Sequence, residues 1–107
     1  LDVVLEKWHW EKTWGWDFPM TAMNAARLNL PNKALDALFM NIQTNTYLKN
    51  GHNYQDGRLR FYLPGNGGVL TTVAMMLEGW DASNSDLPGF PKDGSWVIKK
   101  EGFKKMP

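Results

Sequence analysis

Four tryptophans, Trp8, Trp10, Trp14 and Trp16, fall within nine residues of a 107-residue chain. Each indole offers a broad apolar face and a single N–H donor. Such faces stack on the C–H faces of sugar rings, and the N–H can meet a hydroxyl. Glu11, Asp17, His9 and Lys12 add charge to the same run. Two or three of these rings could equally be core, with another at a helix end. Four indole N–H groups so close together are hard to satisfy in a dry interior, however. At least one ring is therefore expected to face a ligand-sized cleft.

Carboxylates that could work as acid and base are Glu11, Asp17, Asp56, Glu78 and Asp81. Asp17 precedes Phe18-Pro19 and reads as a helix cap, while Glu78 and Asp81 fall at a helix end and in a loop. Glu11 and Asp56 remain as the candidate catalytic pair, because glycoside hydrolysis needs two carboxyl groups at a set separation. His52, between Gly51 and Asn53, could donate to a sugar hydroxyl or simply be solvated. Chain composition bears on the other classes. Twelve basic against eleven acidic residues give a net charge of +1, and the only dense basic cluster is Lys99, Lys100, Lys104 and Lys105. That argues against nucleic-acid binding, which needs a concentrated phosphate-neutralising face. With no cysteine and two histidines, neither a disulfide framework nor a structural zinc site is expected, and no cofactor is implied. No run of 18 apolar residues reads as a membrane span.

The elements that must position these groups are mostly helical. Asp17-Phe18-Pro19 opens a first clear helix that Asn29-Leu30-Pro31 stops; before it, the residues from Leu1 to Lys7 read like the end of another. A second helix follows with Asn32 as expected N-cap and Ala34, Leu35, Leu38, Phe39 and Ile42 on one face. The short connection predicts an antiparallel hairpin. Residues 43–64 carry no helical period and are rich in amides, with turn signals at Asn50-Gly51 and Asp56-Gly57. Long loops in small domains are commonly functional, and the aromatic residues of this one argue against full disorder. A third helix is expected from Asn66 to Glu78, ended by Gly79. It is apolar nearly all round and so should be buried on most sides, partly by something outside the chain. Gly65, Gly67 and Gly68 fit close backbone approach better than phosphate binding. Residues 81–95 read as loop, and Ser95–Lys100 as a strand continued by Gly102-Phe103-Lys104.

Gly15-Trp16, a helix ending Ala26-Arg27-Leu28, a second short helix, a long polar loop, then Gly65-Asn66-Gly67-Gly68 leading into Val73-Ala74-Met75-Met76-Leu77 form one ordered series. Over roughly residues 5 to 80 this series resembles the last part of a six-hairpin (α/α)6 glycosidase domain. It is most similar to the α-L-fucosidase-like families and more distantly to the maltose-phosphorylase-like enzymes. The tail Pro91–Val97 resembles the switch into a following β-domain. The resemblance implies a single incomplete domain over 1–107, with a toroid segment at 1–80 and a loop and β tail at 81–107. It also implies extracellular or periplasmic location, and partners in carbohydrate, the upstream part of the same protein, or a second copy of the chain.

In the fucosidase-like pattern an aspartate that acts with asparagines in base catalysis directly precedes the Gly-Asn of the last helix. Here Pro64 stands there, whereas Asn66 matches the pattern's asparagine. The general-acid glutamate of such enzymes lies upstream of the matched segment. The chain is thus expected to supply one wall of a sugar cleft without being a complete catalyst. The alternative is a non-catalytic carbohydrate-binding or interaction module. Expected sugar contacts are Trp14 and Trp16 for stacking, and His52, Asn53, Tyr54, Arg60 and Asn66 for hydrogen bonds, with Trp16 the first choice of platform because Gly15-Trp16 matches the family pattern.

Overall fold

Small residues at helical spacing set the centre of the molecule. In the computed structural model, which describes residues 1–107, helix α2 spans Asp17–Arg27 and buries Ala22, Ala25 and Ala26 completely. Pro19 lies in its first turn, where a missing N–H costs no hydrogen bond. Asp17 is the first helical residue, with Trp16 as N-cap, so the expected helix cap at Asp17 is corrected. Its Oδ2 accepts the Trp14 N–H at 2.8 Å and so fastens the tryptophan run to the helix start. Asn29, at φ 59°, ends α2 in the left-handed conformation that asparagine tolerates. Its N–H donates to the Ala26 carbonyl and the Leu30 N–H donates to the Ala25 carbonyl, both at 3.0 Å, which is a Schellman closure.

That closure delivers the chain directly into α3, Pro31–Leu38. The helix opens on Pro31 itself with Leu30 as N-cap, so the expected cap at Asn32 is corrected. Proline's fixed φ suits the first helical position. α3 is also shorter than its apolar spacing suggests: Phe39 lies beyond its end and is exposed, and Ile42 lies in the following extended segment. Ala34 and Ala37 pack in one core cluster with the α2 alanines, giving the expected helical hairpin.

Helix α4 spans Leu63–Glu78, beginning three residues before the expected start with Pro64 in its first turn. It crosses α2 where Gly68 abuts Pro19; a Cβ at Gly68 would stand 2.7 Å from Pro19 Cγ. The buried Thr72 hydroxyl donates towards the Pro19 carbonyl at 3.1 Å and the Gly68 carbonyl at 2.7 Å. Gly79, at φ 90°, terminates the helix.

The expectation that α4 lacks cover from its own chain holds for only part of it. Residues 80–107 fold back over its C-terminal half, where Met75, Met76 and Leu77 join Trp80 and Phe90 in the core. Gly89 presses on Met76 so closely that a Cβ would meet the Met76 Cα at 2.4 Å. Leu63 and Leu70, by contrast, remain open on the outer face.

No strand forms over 95–104, which corrects the expected C-terminal β segment. The alternation there finds no neighbouring strand to pair with, and Val97 stays exposed. Side-chain anchors hold the tail instead. Lys100 Nζ donates to the Leu77 carbonyl at 3.0 Å and to Glu78 at 2.6 Å, and Lys105 Nζ donates to the Ser83 carbonyl at 2.8 Å. Its one backbone pairing is an isolated parallel bridge between Trp80 and Met106.

The only sheet is in the amide-rich stretch, where β1 (Thr46–Tyr47) pairs antiparallel with β2 (Asn53–Tyr54). Helix α1, Asp2–Lys7, buries none of its residues and is tied to α3 by a 2.6 Å Asp2–Lys33 ion pair. The architecture is mainly α: four α-helices with one minimal hairpin sheet.

Candidate functional site

A strand alternates its side chains between two faces. Along His52-Asn53-Tyr54-Gln55 this sends the two amides inward and the two rings outward. Asn53 and Gln55 are buried; His52 and Tyr54 are partly exposed. Asn53 is fully enclosed and all of its side chain is engaged. Its Nδ2 donates to the carbonyls of Thr44 and Thr46, each at 3.1 Å, and its Oδ1 accepts from Gln55 Nε2 at 3.0 Å. Gln55 Oε1 in turn accepts the Gly15 N–H at 2.8 Å. These bonds dock the tryptophan run on the hairpin.

Two glycines make the docking sterically possible. A Cβ on Gly15 or on Gly65 would fall 1.9 Å from Asn53 Oδ1. Close backbone approach is thus the use of Gly65, as its sequence context predicts. Asn66 works in the same junction: its Oδ1 accepts the Asn53 N–H at 3.0 Å and its Nδ2 donates to the Gly51 carbonyl at 2.7 Å. Burial puts Asn53 out of a ligand's reach, and the Asn66 amide is committed at both ends. Both residues, expected as sugar contacts, are occupied in holding hairpin, tryptophan run and α4 together.

The four tryptophans divide. Trp10 is core, packed on Phe18 at 5.4 Å between ring centroids. Trp8 sits beside it, half-exposed, and borders an apolar cleft with Val4 and Met20. Trp14 is 52% exposed and stacks on Tyr62 at 5.7 Å with an interplanar angle of 27°. Trp16, 54% exposed, is the N-cap residue of α2 and borders no concavity.

One groove gathers sequence-proposed residues. It has a volume of about 240 Å³ and is lined by Glu11, Lys12, Trp14, Thr44 and Asp56 among others. Both candidate carboxylates therefore border the same space as an exposed indole. His52, Tyr54 and Arg60 do not. They form an outer row on the hairpin, with His52 stacked on Phe61 at 4.0 Å and the Arg60 guanidinium 5.3 Å from the Tyr54 ring centre. The single cleft expected to join the tryptophan run to the loop's polar side chains is accordingly divided. Trp14 and Asp56 share a groove, while His52 and its neighbours lie on the face that the alternation turns away from Gly15.

Electrostatics distinguish the two carboxylates. Asp56 Oδ1 accepts the N–H groups of Arg58 at 2.8 Å and Leu59 at 2.9 Å. These bonds hold its carboxyl below the ordinary carboxylate range, with a smaller contribution from the Arg58 charge. Asp56 is set up as an anion and turn cap, the direction opposite to a general acid. Glu11 is exposed, 3.6 Å from His9, a pairing that is weak in water. Burial and the nearby Asp17 charge push the Tyr62 hydroxyl up, so the ring stacked on Trp14 stays neutral. No group of three or more histidine and carboxylate side chains could hold a metal ion, and no helix is long and apolar enough to cross a membrane.

Thr13, Gln43 and Thr44 line the groove without having been singled out in the sequence, and Tyr62, which backs Trp14 from outside the lining, was not singled out either. For Tyr62 the signal was present in the aromatic pair Phe61-Tyr62, whose members meet His52 and Trp14 respectively. Comparison with protein-family models, with curated proteins and with solved structures returns no match to this chain.

Proposed function

We propose that this chain belongs to a carbohydrate-active protein of the six-hairpin (α/α)6 type and supplies one wall of its sugar-binding cleft at the Glu11–Trp14–Asp56 groove. The observation that carries the reading is Trp14: a half-exposed indole, backed by Tyr62 and bordered by hydrogen-bonding groups. A sugar needs both an apolar platform and polar groups that fix its orientation. The α2–α3 hairpin with α4 laid across α2 is compatible with a piece of a helical toroid. In this reading the upstream part of the same protein completes the cleft, and the protein works outside the cytoplasm. Trp14 replaces Trp16 as the platform because it is the tryptophan that borders a groove with both carboxylates.

A non-catalytic binding role is the second reading, and two observations favour it for the chain by itself. Pro64 can neither give nor take a proton, and Asp56, held as an anion by its turn, is unsuited to the general-acid role. A glycan array with the 107-residue chain, run beside hydrolysis of aryl glycosides, tests both. The expected result is oligosaccharide binding that Trp14→Ala abolishes, with no hydrolysis. Binding that is indifferent to Trp14→Ala would remove the proposed wall. Turnover lost on Glu11→Gln or Asp56→Asn would instead make the chain a catalyst in its own right.

A further inference from the structure

We infer that the groove selects sugars carrying a protonated amine, an inference that rests on the sugar-binding reading and narrows its ligand class. Three features converge. The exposed Trp14 ring presents a π face, and the indole face is the strongest aromatic attractor of cations. Glu11 and Asp56 border the same space with a single lining cation, Lys12, against them. Asp56 stays ionised below the ordinary carboxylate range because its turn N–H groups stabilise the carboxylate. Both of those turn bonds fall on Oδ1, so Oδ2 is left without a protein hydrogen bond and can receive a ligand's N–H.

The charge around the platform extends beyond the rim. Asp17 accepts the Trp14 backbone N–H at 2.8 Å and its charge acts on Tyr62, adding a third carboxylate near the aromatic pair. Two further basic residues adjoin the groove's carboxylates: His9, 3.6 Å from Glu11, and Arg58, whose N–H donates to Asp56. Each is next to a carboxylate rather than over the indole, so the face that a sugar would cover remains open to a cation. A neutral sugar uses only the stacking face and hydrogen bonds. A glucosamine unit adds an ammonium that both the ring and the carboxylates favour. A preference of roughly tenfold is the size that one exposed cation–π contact plus one exposed charge pair supplies.

Calorimetric titration of the 107-residue chain in mildly acidic buffer, where the glucosamine amine is protonated and Asp56 is still ionised, tests this with three tetrasaccharides of the same linkage: glucosamine, N-acetylglucosamine and glucose. The expected order is glucosamine tightest by about tenfold, a margin that narrows in high salt and shrinks in Glu11→Gln/Asp56→Asn to the part that the indole alone supplies. Asparagine at position 56 keeps the Oδ1 acceptor of the turn, and Glu11→Gln alone, at an exposed residue, provides a variant whose folding is not at issue. Equal binding of all three sugars would overturn the inference and leave the sugar-binding reading standing. A preference undiminished in the charge-removing variants would also overturn it. Binding of none would overturn both.

Discussion

Asn53 decides more about this molecule than any residue in the groove. Its side chain satisfies the Thr44 and Thr46 carbonyls and the Gln55 amide in a space from which water is excluded. Asn53→Ala would strip the Thr46 carbonyl of its side-chain donor and remove one of two bonds at the Thr44 carbonyl and at Gln55 Nε2, which still bond each other at 2.9 Å, at about 1–3 kcal/mol for a group that water cannot reach. We expect a loss of roughly 3 kcal/mol in urea unfolding, together with loosening of the Trp14 loop. Gly15→Ala should cost a similar amount, because its Cβ would overlap Asn53 Oδ1. A fully stable Gly15→Ala would mean that the junction can give way. None of this was legible from Asn53 itself, since an amide in a polar loop reads as a ligand contact. Its partners Thr46, Thr44 and Asn66 lie 7, 9 and 13 positions away, and the Gly15–Gln55 bond that completes the network spans 40. The tryptophan run did announce a mixture of core and exposed rings. Which ring did which depended on Phe18 and Tyr62, whose packing is tertiary.

Among the elements, helix positions were the more readable and the pairing of extended segments the less. Pro19, Pro31 and Gly79 mark helix boundaries through local backbone chemistry, which a sequence carries directly. A strand needs a partner, and nothing in Ser95–Lys104 reveals that none is at hand. The tail is pinned instead by lysine caps on carbonyls at the end of α4 and just beyond it. The Glu78 hydrogen bond raises the Lys100 pKa above the usual lysine range, with Asp86 helping. Its stabilising contribution is therefore complete below the unfolded-state pKa and is lost as pH rises through the folded one. Lys100→Met should flatten the alkaline edge of the stability profile, and amide exchange of residues 99–106 should rise. Asp56 behaves in the opposite sense. Its lowered pKa contributes stability above the ordinary carboxylate range, and this is lost as pH falls through the folded value. Exchange at the Arg58 and Leu59 amides, referenced to intrinsic rates, should accelerate only in strong acid. Acceleration already near neutral pH would contradict the turn assignment.

At the scale of the whole molecule, the core is built where helices touch through alanine and where the tail covers methionine. Met76→Ala should cost roughly 3 kcal/mol, whereas Leu70→Gln, at a residue 73% exposed, should change stability by no more than about 0.5 kcal/mol. An equal cost at both positions in thermal unfolding would mean that the outer face of α4 is covered in solution. The functional account concentrates on one indole among six. The direct measurement is a titration of indole N–H resonances in a two-dimensional ¹H–¹⁵N spectrum, assigned by single Trp→Phe variants, with an oligosaccharide that the chain retains on the glycan array. The account predicts a saturable shift at Trp14, with the buried Trp10 and Trp80 unmoved. A silent Trp14, with the shift appearing at Trp16 or nowhere, would contradict it.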